Sequence, residues 1–407
     1  MTRAVTTALV AVLAAIVLTA PASAAPPALT ARTAFLVQPD TRDVIYARAP
    51  GRQRPMASTA KLMTALLTLE HRKLTDTVSA APYTAAPAES VVGLRGGERM
   101  TVADLLRALL IASANDAAAT LAVDVGGSKG AFVTMMNRRA RQLGLTATHY
   151  SNPIGLDAPD GYSSARDLVE LALVLRRNAF FRQTVDRPRA VLRTGSHRRV
   201  VVNRNDLVAR IPYVDGVKSG HTLTAGYVLV GSARRNGVNV LSSVMGEPSL
   251  AARDADTLAL LRYGLSRYRL VTAIAPRARL ANVPVSDQGD AHVALVAGRP
   301  ARVVARRGER LRVRLVDAPD HVSGPLDAGS RVGTAEVLRR GRPVARVPLV
   351  TASAVAKATV GQRVRGWLGD TLTIVFLVAL VACTVQLLVL RRRVARRRRR
   401  AGEPEAT

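Results

Sequence analysis

The rhythm of apolar and polar positions changes several times along the chain, and each change marks an element. Residues 8–18 are unbroken Ala, Leu, Val and Ile, preceded by Arg3 and followed by Ala22-Ser23-Ala24 ahead of Ala25-Pro26-Pro27. A basic start, an apolar core too short to span a bilayer and a small-residue site make an export signal, with cleavage predicted after Ala24. Two strand-like runs follow, 34–37 and 44–46, flanking the turn-rich 39–43 and predicting a hairpin that opens a sheet. The period then lengthens: Leu62, Leu66 and Leu69 fall on one face of a helix that starts near Ser58. Thr101 and Asp104 predict a capping box ahead of Leu105, Leu106, Leu109 and Leu110, and helical patterns continue over 132–143 and 165–176.

Strand patterns return after Val200. Runs at 226–232 and 238–245 are joined across Asn236-Gly237, a strong hairpin signal, and a helix over 250–266 closes the unit. Strands before and after a helical middle predict a sheet drawn from both ends of the unit, with the helices inserted. From 274 to 350 only short strands appear. Residues 311–315 alternate strictly, and Gly- and Pro-bearing turns recur at 297–300, 306–308 and 340–343, predicting a small all-β, sandwich-like domain without a catalytic cluster.

The end of the chain has its own pattern. Residues 371–390 carry no charge and suffice for one helix across a hydrocarbon layer of roughly 30 Å. Arg391-Arg392-Arg393 and the arginines at 396–400 follow directly, so the run reads as the positive-inside stop of a membrane anchor rather than a nucleic-acid site. The predicted organisation is a signal peptide at 1–24, a first domain at 28–270, a β-domain at 274–350, a linker at 351–370, a transmembrane helix at 371–390 and an Arg-rich cytoplasmic tail at 391–407. The body would then be extracytoplasmic.

Charge and cysteine content add little to this. The formal net charge is +30, and setting aside the eight tail arginines with Glu403 and Glu405 leaves about +24 for the remainder. Such an excess favours anionic surroundings, whether membrane head groups or acidic wall polymers. The single cysteine, Cys383, has no partner within the chain, so the chain ends rather than disulfides decide location.

Three short motifs carry the chemistry. In Ser58-Thr59-Ala60-Lys61, helical spacing puts the lysine one turn beyond the serine, and a serine hydroxyl needs a neighbouring base to become a nucleophile. Lys61 qualifies once burial and a second cation lower its pKa, and Lys218 is the candidate cation. Ser113-Ala114-Asn115 lies between two helical runs, with Ser113 able to relay a proton and Asn115 able to bond a substrate amide. Lys218-Ser219-Gly220 precedes a strand and suits a carboxylate at a sheet edge. His71, His149, His197 and His292 lack metal-ligand spacing, and the glycines at 126–130 lack that of a phosphate loop.

In this order the motifs resemble the low-molecular-mass penicillin-binding proteins, the serine-type D-alanyl-D-alanine carboxypeptidases. The likeness extends through 55–64, 113–117, Tyr162-Ser163-Ser164-Ala165-Arg166-Asp167, and Val214-Asp215-Gly216-Val217-Lys218-Ser219-Gly220-His221-Thr222 with Ala225-Gly226-Tyr227. It implies an α/β fold of the penicillin-binding and β-lactamase-like transpeptidase class, an antiparallel sheet with an inserted helical subdomain, followed by the small β-domain. It implies Ser58 as nucleophile, Lys61 as base and Ser113 as third catalytic residue, with Asn115, Lys218, Ser219, Gly220, His221 and Arg253 binding substrate. The backbone N–H groups of Ser58 and His221 would form the oxyanion hole. The implied reaction removes the terminal D-alanine from peptidoglycan stem pentapeptides, with β-lactams as covalent inhibitors and no metal or organic cofactor. A serine β-lactamase and a catalytically idle wall-binding protein are the alternatives. Ala114 and Ser219 depart from the glycine and threonine more usual in the family, and neither removes a catalytic group.

Overall fold

The computed structural model describes residues 25–369 and 371–400; the predicted export signal and the end of the arginine tail lie outside the described residues. The chain divides into two compact units after Tyr268.

In the first unit, β1 (Thr33–Gln38) and β2 (Asp43–Arg48) form the opening hairpin, and a 3-10 turn (Ala57–Ala60) leads into α1 (Lys61–His71). The short β3 (Thr77–Ser79) and β4 (Arg99–Thr101) precede α2 (Val102–Arg107), a π-turn (Ala108–Ala112), α3 (Asn115–Gly126) and α4 (Lys129–Gln142). Next come α5 (Ala165–Leu175), α6 (Ala179–Val185), a ribbon of β5 (Arg189–Leu192) with β6 (Arg199–Val202), and α7 (Leu207–Arg210). Strands β7 (Val214–Thr222), β8 (Gly226–Arg235) and β9 (Val238–Glu247) and helix α8 (Leu250–Arg267) complete the unit. The main sheet runs β2-β1-β9-β8-β7, antiparallel throughout, so β7 forms one outer edge.

All six residues of β1 are buried because the sheet is covered on both faces. Phe35 and Val37 join the helical core, while Leu36 packs with Leu260 and Leu261 of α8. The predicted Asn-Gly hairpin is present: Asn236 and Gly237 take φ of 50° and 76°, and Arg235 pairs with Val238 across the two-residue turn. The predicted capping box is half made. Thr101 accepts from the Asp104 N–H at 3.3 Å, but the Asp104 carboxylate is drawn instead to the N–H groups of Arg193 and Thr194 at 2.8 and 2.9 Å.

Strand β10 (Tyr268–Ile274), all but its first residue in the second unit, is followed there by β11 (Arg279–Pro284), β12 (His292–Ala297), β13 (Ala301–Arg306), β14 (Leu311–Val316), β15 (Arg331–Arg339) and β16 (Arg342–Thr351). A five-stranded sheet, β11-β12-β16-β15-β14, accompanies the two-stranded β10-β13, and Ile274, Val303, Val337 and Val347 meet in a shared core. This is a lopsided version of the predicted sandwich. The strict alternation of β14 does not become a buried face, since that strand lies at the sheet edge and Val313 is exposed.

The stretch read as linker contains a helix, α9 (Val360–Gly369). The Gln362 N–H donates to Thr359 Oγ1 at 3.3 Å and the Thr359 N–H to Gln362 Oε1 at 2.8 Å, a capping box absent from the sequence reading. Helix α10 (Thr371–Arg400) continues through the arginines, which are good helix formers. Within it, Thr373–Arg397 is long and apolar enough to cross a membrane.

Candidate active site

Ser58 sits second in the 3-10 turn, behind Ala57 at φ 50°. A non-glycine residue in that region costs on the order of 1–3 kcal/mol, strain that fixes where the serine points. Lys61 opens α1 and is 0% exposed. Its Nζ donates to Ser58 Oγ at 2.9 Å and to the Ile154 carbonyl at 2.8 Å. That carbonyl is held by a tight loop in which Asn152 Oδ1 accepts from the N–H groups of Ile154, Gly155 and Leu156. Gly155 has φ +89°, and a Cβ there would lie 2.0 Å from the Ala57 oxygen, so only glycine lets the loop close on the nucleophile turn.

Ser113 ends the π-turn in the left-handed region, at φ 60° and ψ 31°, and Asn115 opens α3. Such a one-turn bulge re-aims the residues after it. Lys218, 1% exposed, donates to Ser113 Oγ at 2.9 Å and to the Ser219 carbonyl at 2.8 Å. The Lys218-Ser219-Gly220 motif lies within the edge strand β7, not ahead of a strand as its composition suggests. Packing and pairing with β8 outweigh the low strand propensity of Gly216, Lys218 and Gly220. A Cβ on Gly220 would come within 3.0 Å of the Ser58 nitrogen, so the glycine permits the close pass of β7 against the nucleophile turn. His221 is exposed and stacks on Tyr227, with ring centroids 4.0 Å apart.

The structure therefore brings the three motifs together: Lys61 bonds Ser58, Lys218 bonds Ser113, and Gly220 passes against the Ser58 turn, which defines the cleft. Arg253 lies behind them, near enough to Lys218 to lower its pKa. It is 3% exposed, with Nε and Nη2 donating to Asp254 Oδ1 at 3.0 and 2.7 Å and Nη2 reaching Asp206 at 3.4 Å. Its guanidinium is engaged by two carboxylates.

Three contributors escaped the sequence reading. Glu89 Oε2 accepts from Asn115 Nδ2 at 2.7 Å and from the Tyr83 hydroxyl, leaving the Asn115 oxygen as the atom able to accept from a ligand N–H. The Ile154 carbonyl anchors the base. Arg204, exposed and tied through its N–H to the Ile111 carbonyl at 3.0 Å, has no carboxylate partner among the described residues. Its one sequence signal is its place between Asn203 and Asn205, two asparagines that are buried.

Electrostatics favour a neutral base. Burial first, and then the Lys218 ammonium, hold Lys61 well below the usual lysine range, while the Glu89 and Asp116 carboxylates oppose the shift. Burial, then Arg204 and Arg253, bring Lys218 down to about 7. Burial alone would raise the Glu89 carboxyl, but hydrogen bonds from Tyr83 and Asn115 outweigh it and keep the group ionised. A neutral amine 2.9 Å from a hydroxyl can take its proton as the oxygen attacks an acyl carbon. Among the described residues no three His, Cys, Asp or Glu side chains gather to hold a metal.

Comparison with known proteins bears on the family of the chain. Residues 20–249 match the family model of D-alanyl-D-alanine carboxypeptidases, and 268–357 match that of the penicillin-binding protein 5 C-terminal domain. The chain is 29% identical to D-alanyl-D-alanine carboxypeptidase DacF of Bacillus subtilis, over 84% of this chain and 90% of that protein. It is 32% identical to DacC of Escherichia coli, over 72% and 76%. Among solved structures, penicillin-binding protein 5 of Haemophilus influenzae aligns at 27% identity and a TM-score of 0.59, covering 82% of this chain and all of that one. The DD-transpeptidase of streptomyces K15 aligns at 30% and 0.57, over 59% and 99%. With its sequence matched over more than half its length, the chain belongs to the D-alanyl-D-alanine carboxypeptidase family.

Proposed function

We propose that this enzyme removes the terminal D-alanine of peptidoglycan stem pentapeptides through an acyl-ester on Ser58. The observation that carries the reading is the fully buried Lys61 amine, 2.9 Å from Ser58 Oγ and biased toward neutrality. Ser58 attacks the carbonyl between the two D-alanines and Lys61 takes the hydroxyl proton. The N–H groups of Ser58 and His221 receive the oxyanion, a term worth about 3–4 kcal/mol per donor in acyl transfer. Ser113 passes a proton to the departing amine, D-alanine leaves, and water deprotonated by Lys61 hydrolyses the ester. A β-lactam, being a strained amide, acylates the same serine.

Substrate binding divides between Asn115, whose oxygen accepts from the peptide N–H, and the edge of β7. Lys218, Ser219 and Gly220 face the terminal carboxylate. Arg204 joins them, because it is exposed, has no carboxylate partner among the described residues and lies close enough to Lys218 to lower its pKa; Arg253, which lowers it as well, stands behind as the second cation. The domain limits follow the sequence: 28–270 catalytic, 274–350 β-domain, 351–370 connection, 371–390 span and 391–407 tail. The arginines face the cytoplasm and the catalytic unit the wall, where its substrate lies.

The test uses the full chain in detergent with a peptide ending in Lys-D-Ala-D-Ala, following released D-alanine and bound penicillin by mass. Release of one D-alanine per peptide, with a long-lived penicillin adduct mapped to Ser58, is expected. An adduct on another residue would remove Ser58 as nucleophile, and rapid loss of the adduct would favour a β-lactamase.

A further inference from the structure

The ribbon of β5 and β6 carries a surface that the proposed chemistry does not use. Its inner face is closed by Ala190, Leu192 and Val201, which are buried. On its outer face Arg189 pairs with Val202 and Val191 with Val200, and the two β6 valines are 65% and 61% exposed. Arg193 and Arg198 extend this face beyond the paired residues. Arg107, Arg187, Arg189, Arg193 and Arg198 line one open groove of about 610 Å³. A second groove of about 600 Å³ shares Arg198 and Val200 with it and runs along β6 to Arg204 and to Ala112, the residue before Ser113. The basic surface is therefore continuous with the mouth of the cleft.

Its charge is uncompensated. Of the five arginines in the first groove, Arg107 alone pairs with a carboxylate, Asp104, among the described residues. The neighbouring Arg199 shows the contrast, being buried and bound to Glu98 at 2.8 Å. Four exposed guanidinium groups around one groove repel each other, and an anion with several charges at intervals relieves that repulsion.

We propose that the β5–β6 ribbon is a second binding site for the polymeric form of the substrate, gripping carboxylates on stem peptides beyond the one being cleaved. This rests on the carboxypeptidase reading above. The arginines supply the ion pairs, and the valines between them an apolar strip for the non-ionic parts of the chain. The site makes the enzyme favour wall polymer over a free peptide of the same sequence.

The test compares the full-length wild type with R189Q/R193Q/R198Q in nanodiscs of neutral phosphatidylcholine. Substrates are soluble peptidoglycan fragments of several repeats and the single tripeptide Lys-D-Ala-D-Ala. For the variant, kcat/KM on the fragments is expected to fall roughly tenfold, the product of three exposed ion pairs of a few-fold each. Tripeptide turnover and the rate of penicillin acylation stay within about twofold, showing an intact cleft. The wild-type preference for fragments shrinks as salt rises. Equal loss on both substrates, or none on either, overturns the proposal. So does a loss seen only when the discs contain phosphatidylglycerol, which would assign the arginines to lipid. If the wild type releases no D-alanine at all, the carboxypeptidase reading fails separately. Sedimentation with insoluble peptidoglycan then decides the binding site, and equal retention of wild type and variant rejects it.

Discussion

Replacing Lys61 by methionine will lower acylation of Ser58, by peptide and by penicillin alike, on the order of 10²- to 10⁴-fold, the usual worth of a positioned base. Methionine is the informative choice because Lys61 is 0% exposed within the core beneath the cleft. An unbranched thioether fills most of that volume without offering a base. From sequence, Lys61→Ala is expected to spare the fold, as a change to a base rather than to a core contact. The structure contradicts that. Alanine would open a cavity beneath the nucleophile and strip the Ile154 carbonyl of its donor, a truncation costing about 2–5 kcal/mol in comparable buried sites. Acylation rates from mass-detected adducts, with thermal melting of each variant, separate the two effects. A methionine variant that acylates within a few-fold of wild type would remove Lys61 from the role of base.

Lys218→Gln is expected to have the second-largest effect, with two signatures. Its ammonium faces Lys61 together with the Glu89 and Asp116 carboxylates, and it alone of the three lowers the pKa of the base. Removing it lets that pKa rise, so the acidic limb of kcat/KM moves to higher pH. Glu89→Gln removes an opposing charge while keeping an acceptor for Asn115, and moves the same limb to lower pH. The second signature concerns substrate. Losing a cation at the carboxylate end should weaken a peptide acid by about tenfold or more relative to its amide. Both are read from pH profiles of kcat/KM for the acid and amide of one peptide. Equal losses for acid and amide would pass the carboxylate role to Arg204, and limbs moving in one direction for both variants would refute the electrostatic account.

What was legible in the sequence was local. Ser58 and Lys61 are three residues apart, and helical geometry alone brings them together. The Asn-Gly hairpin and the sheet drawn from both ends of the unit follow from short patterns. Glu89, Ile154 and Arg204 were not legible, because each lies on a loop whose position is set by contacts with distant segments. The π-turn before Ser113 adds one residue to a helical turn and leaves no trace in apolar spacing. The edge strand β7 was obscured by its own chemistry: the glycines and polar residues that give access to Ser58 are those that weaken a strand signal. Arg253, placed by resemblance, is buried against Asp206 and Asp254 while near enough to Lys218 to lower its pKa, surroundings that its place in the sequence does not show.

The burial of Lys218 also sets how the protein meets acid. Its ordinary pKa of 10.5 falls to about 7 in the fold, so between those values the unfolded chain holds a proton that the folded chain lacks. This group's contribution to stability therefore rises with pH from about 7 toward 10.5 and is at its poorest below 7, where a charged ammonium stays shut inside the protein. Lys61 leans the same way. Rate and robustness, often opposed in enzymes, are here tied to the same deprotonation: acid that silences the base also loosens the cleft around it. Urea midpoints that failed to climb between pH 7 and 9 would break that tie.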